Sequence, residues 1–175
     1  MHGRVQHQTA VLFVCLGNIC RSPMAEGAFR EAAMRHGFEC DVASAGTAAY
    51  HTGNPPDPRA IAVAAAHGIE IAGQQARQIE PQDFLRFSHI IALDKANLEG
   101  IKARRPRDAT AEVSLLLDWV DGHQGQGVPD PYYGDEADFL AAWALISRAT
   151  DAMASRLAYL ASIAQTPAGY PPRIS

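Results

Sequence analysis

The sequence predicts a single α/β domain, a four-stranded parallel sheet with helices on both faces. The chain has 175 residues and is 47% apolar, which is enough for one buried core. Short apolar runs alternate with segments of helical spacing, as in sheets whose parallel strands are joined by crossover helices. A glycine-containing loop follows the first apolar run and precedes the first helix. Sheets of this kind bind ligands beyond the carboxyl ends of their strands, which is where this loop is expected to lie.

Four short runs have the composition of strands. The first, Ala10 to Leu16, is apolar throughout and is expected to be buried on both faces. The second ends at Gly46, and the third and fourth continue the alternation with helices. The predicted strands are AVLFVCL (10–16), CDVASAG (40–46), HIIALD (89–94) and AEVSLLL (111–117).

Five helices are predicted between and after these strands. Gly37 and Gly68 end the first two, because glycine readily takes the backbone conformation that terminates a helix. Asp57 and Pro58 have the pattern of an N-cap followed by the first helical residue. The predicted helices are 23–36, 58–67, 81–87, 95–105 and 136–163. We assign residues 10–164 to the domain and expect flexible tails at 1–9 and 165–175, which are polar or broken by proline.

Composition argues against several classes of function. The net charge of −4 gives no basic surface for nucleic acid, and no apolar run approaches the ~18 residues of a membrane span. The first ten residues lack the apolar segment of a secretory signal, so we expect a cytoplasmic protein. Three cysteines without metal-ligand spacing predict neither disulfides nor a metal, and no cofactor is expected. The sequence does not determine the oligomeric state, and we favour a monomer.

The segment CLGNICRS, from Cys15 to Ser22, has the features of an anion cradle. Helix N-terminal amides bind anions, and Gly17 lets further loop amides point inward. Arg21 offers a planar guanidinium that suits two oxygens of a phosphate. Cys15 is placed beneath the anion, where the positive field favours the thiolate. The segment matches neither a Walker loop nor a dinucleotide fingerprint.

A thiolate beneath a phosphate predicts attack of sulfur on phosphorus, followed by hydrolysis of a cysteinyl-phosphate. A cysteine at the end of a buried strand is usually a small core side chain, so a second, distant element is needed. The segment DPYYGDEADF begins with Asp130, which is suited to protonate a leaving oxygen, although Asp-Pro is also common in turns. Tyr132 and Tyr133 are suited to wall a slot for an aromatic phosphoester.

Together, VCLGNICRSPMAE and DPYYGDEADF resemble the motifs of the low-molecular-weight protein tyrosine phosphatases. The intermediate segments SAGT, GNPPDPRA, HGI, ARQI and LDKANL resemble that family in the same order. The resemblance covers roughly residues 10–163 and implies a four-stranded parallel sheet between helices. It also implies a phosphotyrosine-containing protein or peptide as substrate.

The resemblance implies roles for the catalytic residues. Cys15 is the expected nucleophile, and Arg21 binds the phosphoryl group. Asp130 is the acid in the first step and the base that activates water in the second. Ser22 is expected to stabilise the thiolate as it leaves, although its hydroxyl is equally suited to cap the helix.

Other residues are expected to shape the loop and the slot. Asn18 braces the loop through its side chain, with Ser44 as its partner. Cys20 raises the further expectation that a disulfide with Cys15 protects the nucleophile from peroxide; a small buried side chain is the alternative. The backbone amides from Leu16 to Arg21, including that of Gly17, are expected to cradle the phosphate. The slot is expected to be lined by Leu16, Ile19, Tyr50, Tyr132 and Tyr133.

Three alternatives remain open on sequence grounds. An arsenate reductase of the same fold needs cysteines late in the chain, and none follows Cys40. By resemblance, a phosphoarginine phosphatase carries threonine where this chain has Ile19. A non-catalytic phosphate-binding module would leave Asp130 without a purpose.

Overall fold

The computed structural model describes residues 8–164, so nearly all of the two predicted tails lies outside the described residues. The strands are β1 (Ala10–Cys15), β2 (Asp41–Gly46), β3 (His89–Ala92) and β4 (Glu112–Leu115). The helices are α1 (Arg21–Arg35), α2 (Pro58–Ala66), α3 (Asp83–Arg86), α4 (Lys95–Arg104) and α5 (Glu136–Ala164). The predicted α/β class and four-stranded sheet are confirmed.

The sheet is parallel throughout, with the strand order β2-β1-β3-β4. All six residues of β1 are buried, because this strand lies between two neighbours and is covered on both faces. Phe13 and its alternate neighbours pack with α1, α2 and α5, whereas Leu12 and Val14 pack in a second core on the opposite face. Because the strands are parallel, Cys15, Gly46 and the residues after β3 meet at one edge of the sheet.

Most element boundaries differ from the sequence prediction by one or two residues, and two of these differences have a clear local reason. Helix α1 begins at Arg21 rather than Pro23, so that the proline occupies the third helical position, where no amide is needed for helical hydrogen bonding. Strand β4 ends at Leu115 rather than Leu117, because Leu116–Trp119 forms a short 3-10 helix. The Asp118 carboxylate stabilises that turn by accepting a hydrogen bond of 3.2 Å from the Leu115 amide.

None of the helices between residues 8 and 164 is long and apolar enough to cross a membrane.

Candidate active site

The loop between β1 and α1, called the phosphate loop here (residues 15–22), has its backbone fixed by the segment after β2. Thr47 and Ala48 donate amide hydrogen bonds of 2.9 and 3.0 Å to the carbonyls of Cys15 and Leu16. A Cβ atom at Gly46 would lie 2.6 Å from the Leu16 carbonyl oxygen, so only glycine permits this close approach. Asn18 has φ 58°, a left-handed conformation that asparagine tolerates better than most residues.

The Cys15 sulfur receives hydrogen bonds from within the loop. Its Sγ lies 3.0 Å from Ser22 Oγ, and the Asn18 amide donates to it at 3.3 Å. Cys15 is 3% exposed, and Ser22 lies inside α1, where it makes no capping hydrogen bond. The alternative interpretation of Ser22 as a helix cap is therefore wrong, since its hydroxyl faces the sulfur.

The side-chain amide of Asn18 connects this sulfur to a buried polar chain. Its Nδ2 donates to Ser22 Oγ at 2.8 Å and to Ser44 Oγ at 2.9 Å, and its Oδ1 accepts from the Arg77 amide at 3.0 Å. Ser44 in turn donates to Glu26 Oε1 at 3.1 Å. Asn18 and Ser44 thus lie together, as the sequence predicts.

Arg21 is the first residue of α1, and its side chain is only 3% exposed. One guanidinium nitrogen donates to Asp94 Oδ2 at 2.6 Å and to the Val128 carbonyl at 2.8 Å. The other lies 3.5 Å from Asp130 Oδ2. Because one nitrogen is held by Asp94 and Val128, the guanidinium is fixed at the phosphate loop and faces the predicted acid.

Asp130 lies on the loop before α5, with its side chain 43% exposed. Its Oδ1 accepts a hydrogen bond of 3.1 Å from the Tyr132 amide, while Oδ2 faces Arg21. The structure therefore brings Cys15, Arg21 and Asp130 to one edge of the sheet, although Cys15 and Asp130 are 115 positions apart in the sequence.

The predicted slot residues differ in exposure. Tyr132 is half-buried, and its ring meets that of Tyr133 at 4.9 Å and 89°. Tyr133 is 96% exposed and Tyr50 is 76% exposed, so both stand mainly in solvent. Leu16 is also exposed, whereas Ile19 packs partly against the core.

Cys20 is buried, and that burial raises the pKa of its thiol far above the ordinary value of 9.0. Nearby negative charge, first from Asp57 and then from Cys15 and Asp130, raises it further. Burial therefore favours the protonated thiol of Cys20, so Cys15 rather than Cys20 is the expected nucleophile toward phosphorus. Within residues 8–164, no group of three His, Cys, Asp or Glu side chains is arranged to hold a metal ion.

Comparison with known proteins shows which family has this sequence and fold. The model for the low molecular weight phosphotyrosine protein phosphatases matches residues 10–162. The chain belongs to that family. A curated phosphatase of this description from Schizosaccharomyces pombe is 42% identical over 132 residues, which make up 74% of this chain and 84% of the yeast protein. These matches confirm the predicted enzyme class, a protein tyrosine phosphatase.

Solved structures agree with this assignment. A protein tyrosine phosphatase from Entamoeba histolytica superimposes with a TM-score of 0.80 at 31% identity, over 88% of this chain and 99% of that one. A Drosophila arginine phosphatase superimposes with a TM-score of 0.78 at 29% identity, over 84% of this chain and 96% of that one. The fold alone therefore does not separate these two substrates.

Sequence reasoning missed three contributors to the site. Asp94 caps α4 by accepting a hydrogen bond of 2.7 Å from the Asn97 amide, while its other oxygen holds Arg21. Its position directly after β3, at the carboxyl edge of the sheet, was the available signal. Glu26 reaches the site only through Ser44, and His51 lies against the loop, 3.0 Å from where a Cβ on Gly17 would be. Neither contact has a sequence signature.

Proposed function

We propose that this phosphatase hydrolyses phosphotyrosine in proteins or peptides, with Cys15 as nucleophile, Arg21 as phosphoryl-binding residue and Asp130 as proton donor and acceptor. The observation that carries the proposal is the convergence of these three side chains. Cys15 Sγ lies under donors from Ser22 and Asn18, and Arg21 lies 3.5 Å from Asp130 Oδ2.

In the first step, the Cys15 sulfur attacks phosphorus while the bond from phosphorus to the tyrosyl oxygen breaks. The electron pair of that bond goes to the phenolic oxygen, which takes a proton from Asp130. Arg21 and the loop amides of residues 16–21 balance the charge on the three phosphoryl oxygens. Because Asp94 and Val128 hold Arg21, little reorganisation is needed when the phosphate binds.

In the second step, water attacks phosphorus and gives a proton to Asp130, while the bond between sulfur and phosphorus breaks. The electron pair returns to sulfur, and the Ser22 hydroxyl stabilises the departing thiolate by donating a hydrogen bond. Asn18 donates to Ser22 Oγ, so the hydroxyl proton is left for the Cys15 thiolate at 3.0 Å, the alternative acceptor being the Ala45 carbonyl at 3.4 Å.

The substrate side of the proposal is supported by the apolar and aromatic character of the rim. Ile19 offers no hydrogen-bonding group to a guanidinium, whereas a phenyl ring gains from contact with Ile19 and Tyr132. A serine side chain is too short to reach a sulfur that is 3% exposed at the bottom of the loop. We therefore expect phosphotyrosine to be preferred over both phosphoarginine and phosphoserine.

We also infer a cytoplasmic location. Cys15, Cys20 and Cys40 are free thiols, and the nucleophile must be reduced to act. The net charge of −4 supports the absence of a nucleic-acid partner, and we keep a monomer as the expected state.

The proposal is tested by turnover on matched peptides that carry phosphotyrosine, phosphoserine or phosphoarginine. We expect phosphotyrosine to have the highest kcat/KM and Cys15→Ser to abolish turnover while still binding vanadate. Ile19→Thr should shift the preference toward phosphoarginine, because it adds a hydroxyl acceptor to the wall. Faster hydrolysis of phosphoarginine by the wild type would refute the proposed substrate, and activity in the serine variant would refute the nucleophile.

A further inference from the structure

The N-terminus of α2 lies between the phosphate loop and the acid loop, which is defined here as residues 130–134. The Asp57 amide donates a hydrogen bond of 2.7 Å to the carbonyl of Ile19, so the start of α2 is tied to the phosphate loop. Asp57 is also the N-cap, and its Oδ1 accepts from the Arg59 amide at 2.8 Å. This end of α2 is thus fixed relative to the nucleophile.

The Arg59 side chain folds back on the same carboxylate. Its Nε lies 3.0 Å from Asp57 Oδ1 and its Nη2 lies 2.9 Å from Asp57 Oδ2, a two-point arrangement that arginine can make and lysine cannot. The Arg59 hydrogen bond, partly opposed by burial, lowers the pKa of the Asp57 carboxyl from its ordinary value. Asp57 therefore stays ionised and keeps the guanidinium in place.

The remaining donors of Arg59 reach the acid loop. Nη2 donates to the Tyr132 carbonyl at 3.0 Å and Nη1 donates to the Gly134 carbonyl at 3.3 Å. The guanidinium carbon also lies 4.5 Å from the ring centroid of Phe139, the first buried residue of α5. One side chain thus holds two carbonyls of the loop that carries the predicted acid.

Tyr132 transmits this contact to Asp130. Its carbonyl is held by Arg59, and its amide donates to Asp130 Oδ1 at 3.1 Å. A carboxylate fixed through Oδ1 presents Oδ2 to the phosphate loop, where Arg21 lies 3.5 Å away. The orientation of the proton-carrying oxygen therefore depends on the position of the Tyr132 backbone.

We propose that Arg59 is a positioning residue for the proton-transfer step, because it joins the acid loop to the phosphate loop through Asp57. The inference rests on the proposed role of Asp130. Arg59 is placed to hold the acid loop rather than the phosphate, so its loss should slow proton transfer and leave the affinity for vanadate unchanged. A displaced acid costs most when the leaving oxygen needs a proton.

The test compares phosphotyrosine with p-nitrophenyl phosphate, whose leaving group departs with little protonation. Arg59→Ala should lower kcat/KM, which reports the steps up to departure of the leaving group, roughly 10- to 100-fold on phosphotyrosine and much less on p-nitrophenyl phosphate. Arg59→Lys should be intermediate. Asp57→Asn keeps the helix cap but loses the ion pair with the Arg59 guanidinium, so it should shift the leaving-group dependence in the same direction. Arg107→Ala, an exposed arginine between α4 and β4, is the matched control.

A double-variant comparison separates positioning from general support of the fold. When Asp130 is already replaced by Asn, Arg59→Ala should cause no further loss on phosphotyrosine. Equal losses on both substrates, or a further loss in the Asp130→Asn background, would overturn the role of Arg59. If Asp130→Asn itself showed no leaving-group dependence, the proposed function of Asp130 would fail, a result distinguishable from failure at Arg59 alone.

Discussion

Asn18 determines the direction of the hydrogen bonds around the nucleophile. Its amide nitrogen donates to both Ser22 and Ser44, so these hydroxyls act as acceptors toward Asn18 and must give their own protons elsewhere. The proton of Ser22 can go to the Cys15 thiolate at 3.0 Å or to the Ala45 carbonyl at 3.4 Å, and that of Ser44 goes to Glu26. An asparagine with its oxygen held by the Arg77 amide cannot reverse this order without losing that contact.

Cys20 lies in the same loop as the nucleophile, and we expect it to protect Cys15 from irreversible oxidation. Peroxide converts the Cys15 thiolate to a sulfenic acid, and we propose that the Cys20 thiol then displaces water to form a disulfide, which dithiothreitol reduces. Because burial raises the pKa of Cys20, that thiol is not itself the first target. Cys20→Ser should keep most of its activity but recover poorly after peroxide, with Cys40→Ser as the control. Sulfinic acid at Cys15 without a link to Cys20, seen by peptide mapping of the oxidised wild type, would contradict the proposal.

The junction between β2 and the phosphate loop leaves no room for a side chain at Gly46. Gly46→Ala places a Cβ 2.6 Å from the Leu16 carbonyl, a backbone atom that can move only if the loop moves. We expect kcat/KM on phosphotyrosine to fall by roughly 10- to 100-fold and vanadate to bind more weakly. Gly73→Ala is the control, since its Cβ meets nothing within 4 Å. Unchanged vanadate affinity in Gly46→Ala would show that β2 does not shape the cradle.

The helices and strands were largely predictable from the local sequence pattern, whereas the order of the strands in the sheet was not. The wholly apolar run from Ala10 predicted a strand covered on both faces, and β1 is buried at every position. The order β2-β1-β3-β4 depends on long-range packing that no local pattern encodes. This is why Cys15 and Asp130 could be found from motif chemistry, while Asp94 needed the knowledge that β3 lies beside β1. The 3-10 helix after β4 was missed because its leucines look the same in a strand.

At the scale of the whole molecule, the buried carboxyl of Glu26 links stability to pH. Burial raises the pKa of Glu26 above its ordinary value of 4.5, although Arg30 and the Ser44 hydrogen bond oppose the shift. A raised folded-state pKa means that this contribution to the free energy of unfolding is fully present below pH 4.5 and is lost as pH rises through the folded-state pKa.

Glu26→Gln should therefore remove the pH dependence that this carboxyl gives to the free energy of unfolding. The difference in unfolding free energy between wild type and variant, measured by urea denaturation, should change in favour of the variant as pH rises above 4.5. Glu31→Gln, on a more exposed part of α1, is the control, since its side chain is 43% exposed against 10% for Glu26. A difference that stays constant with pH would contradict the linkage.

In the proposed mechanism, catalysis passes through a phosphoryl group on Cys15. The most direct measurement is acid quench of Asp130→Asn during turnover of p-nitrophenyl phosphate, followed by peptide mapping. This substrate forms the intermediate without a proton donor, whereas its hydrolysis lacks the base, so phosphoenzyme should accumulate. We expect a phosphoryl adduct on the peptide that contains Cys15, and no adduct when Cys15→Ser is added. An adduct on any other residue, or continued turnover by the Cys15→Ser variant, would contradict it.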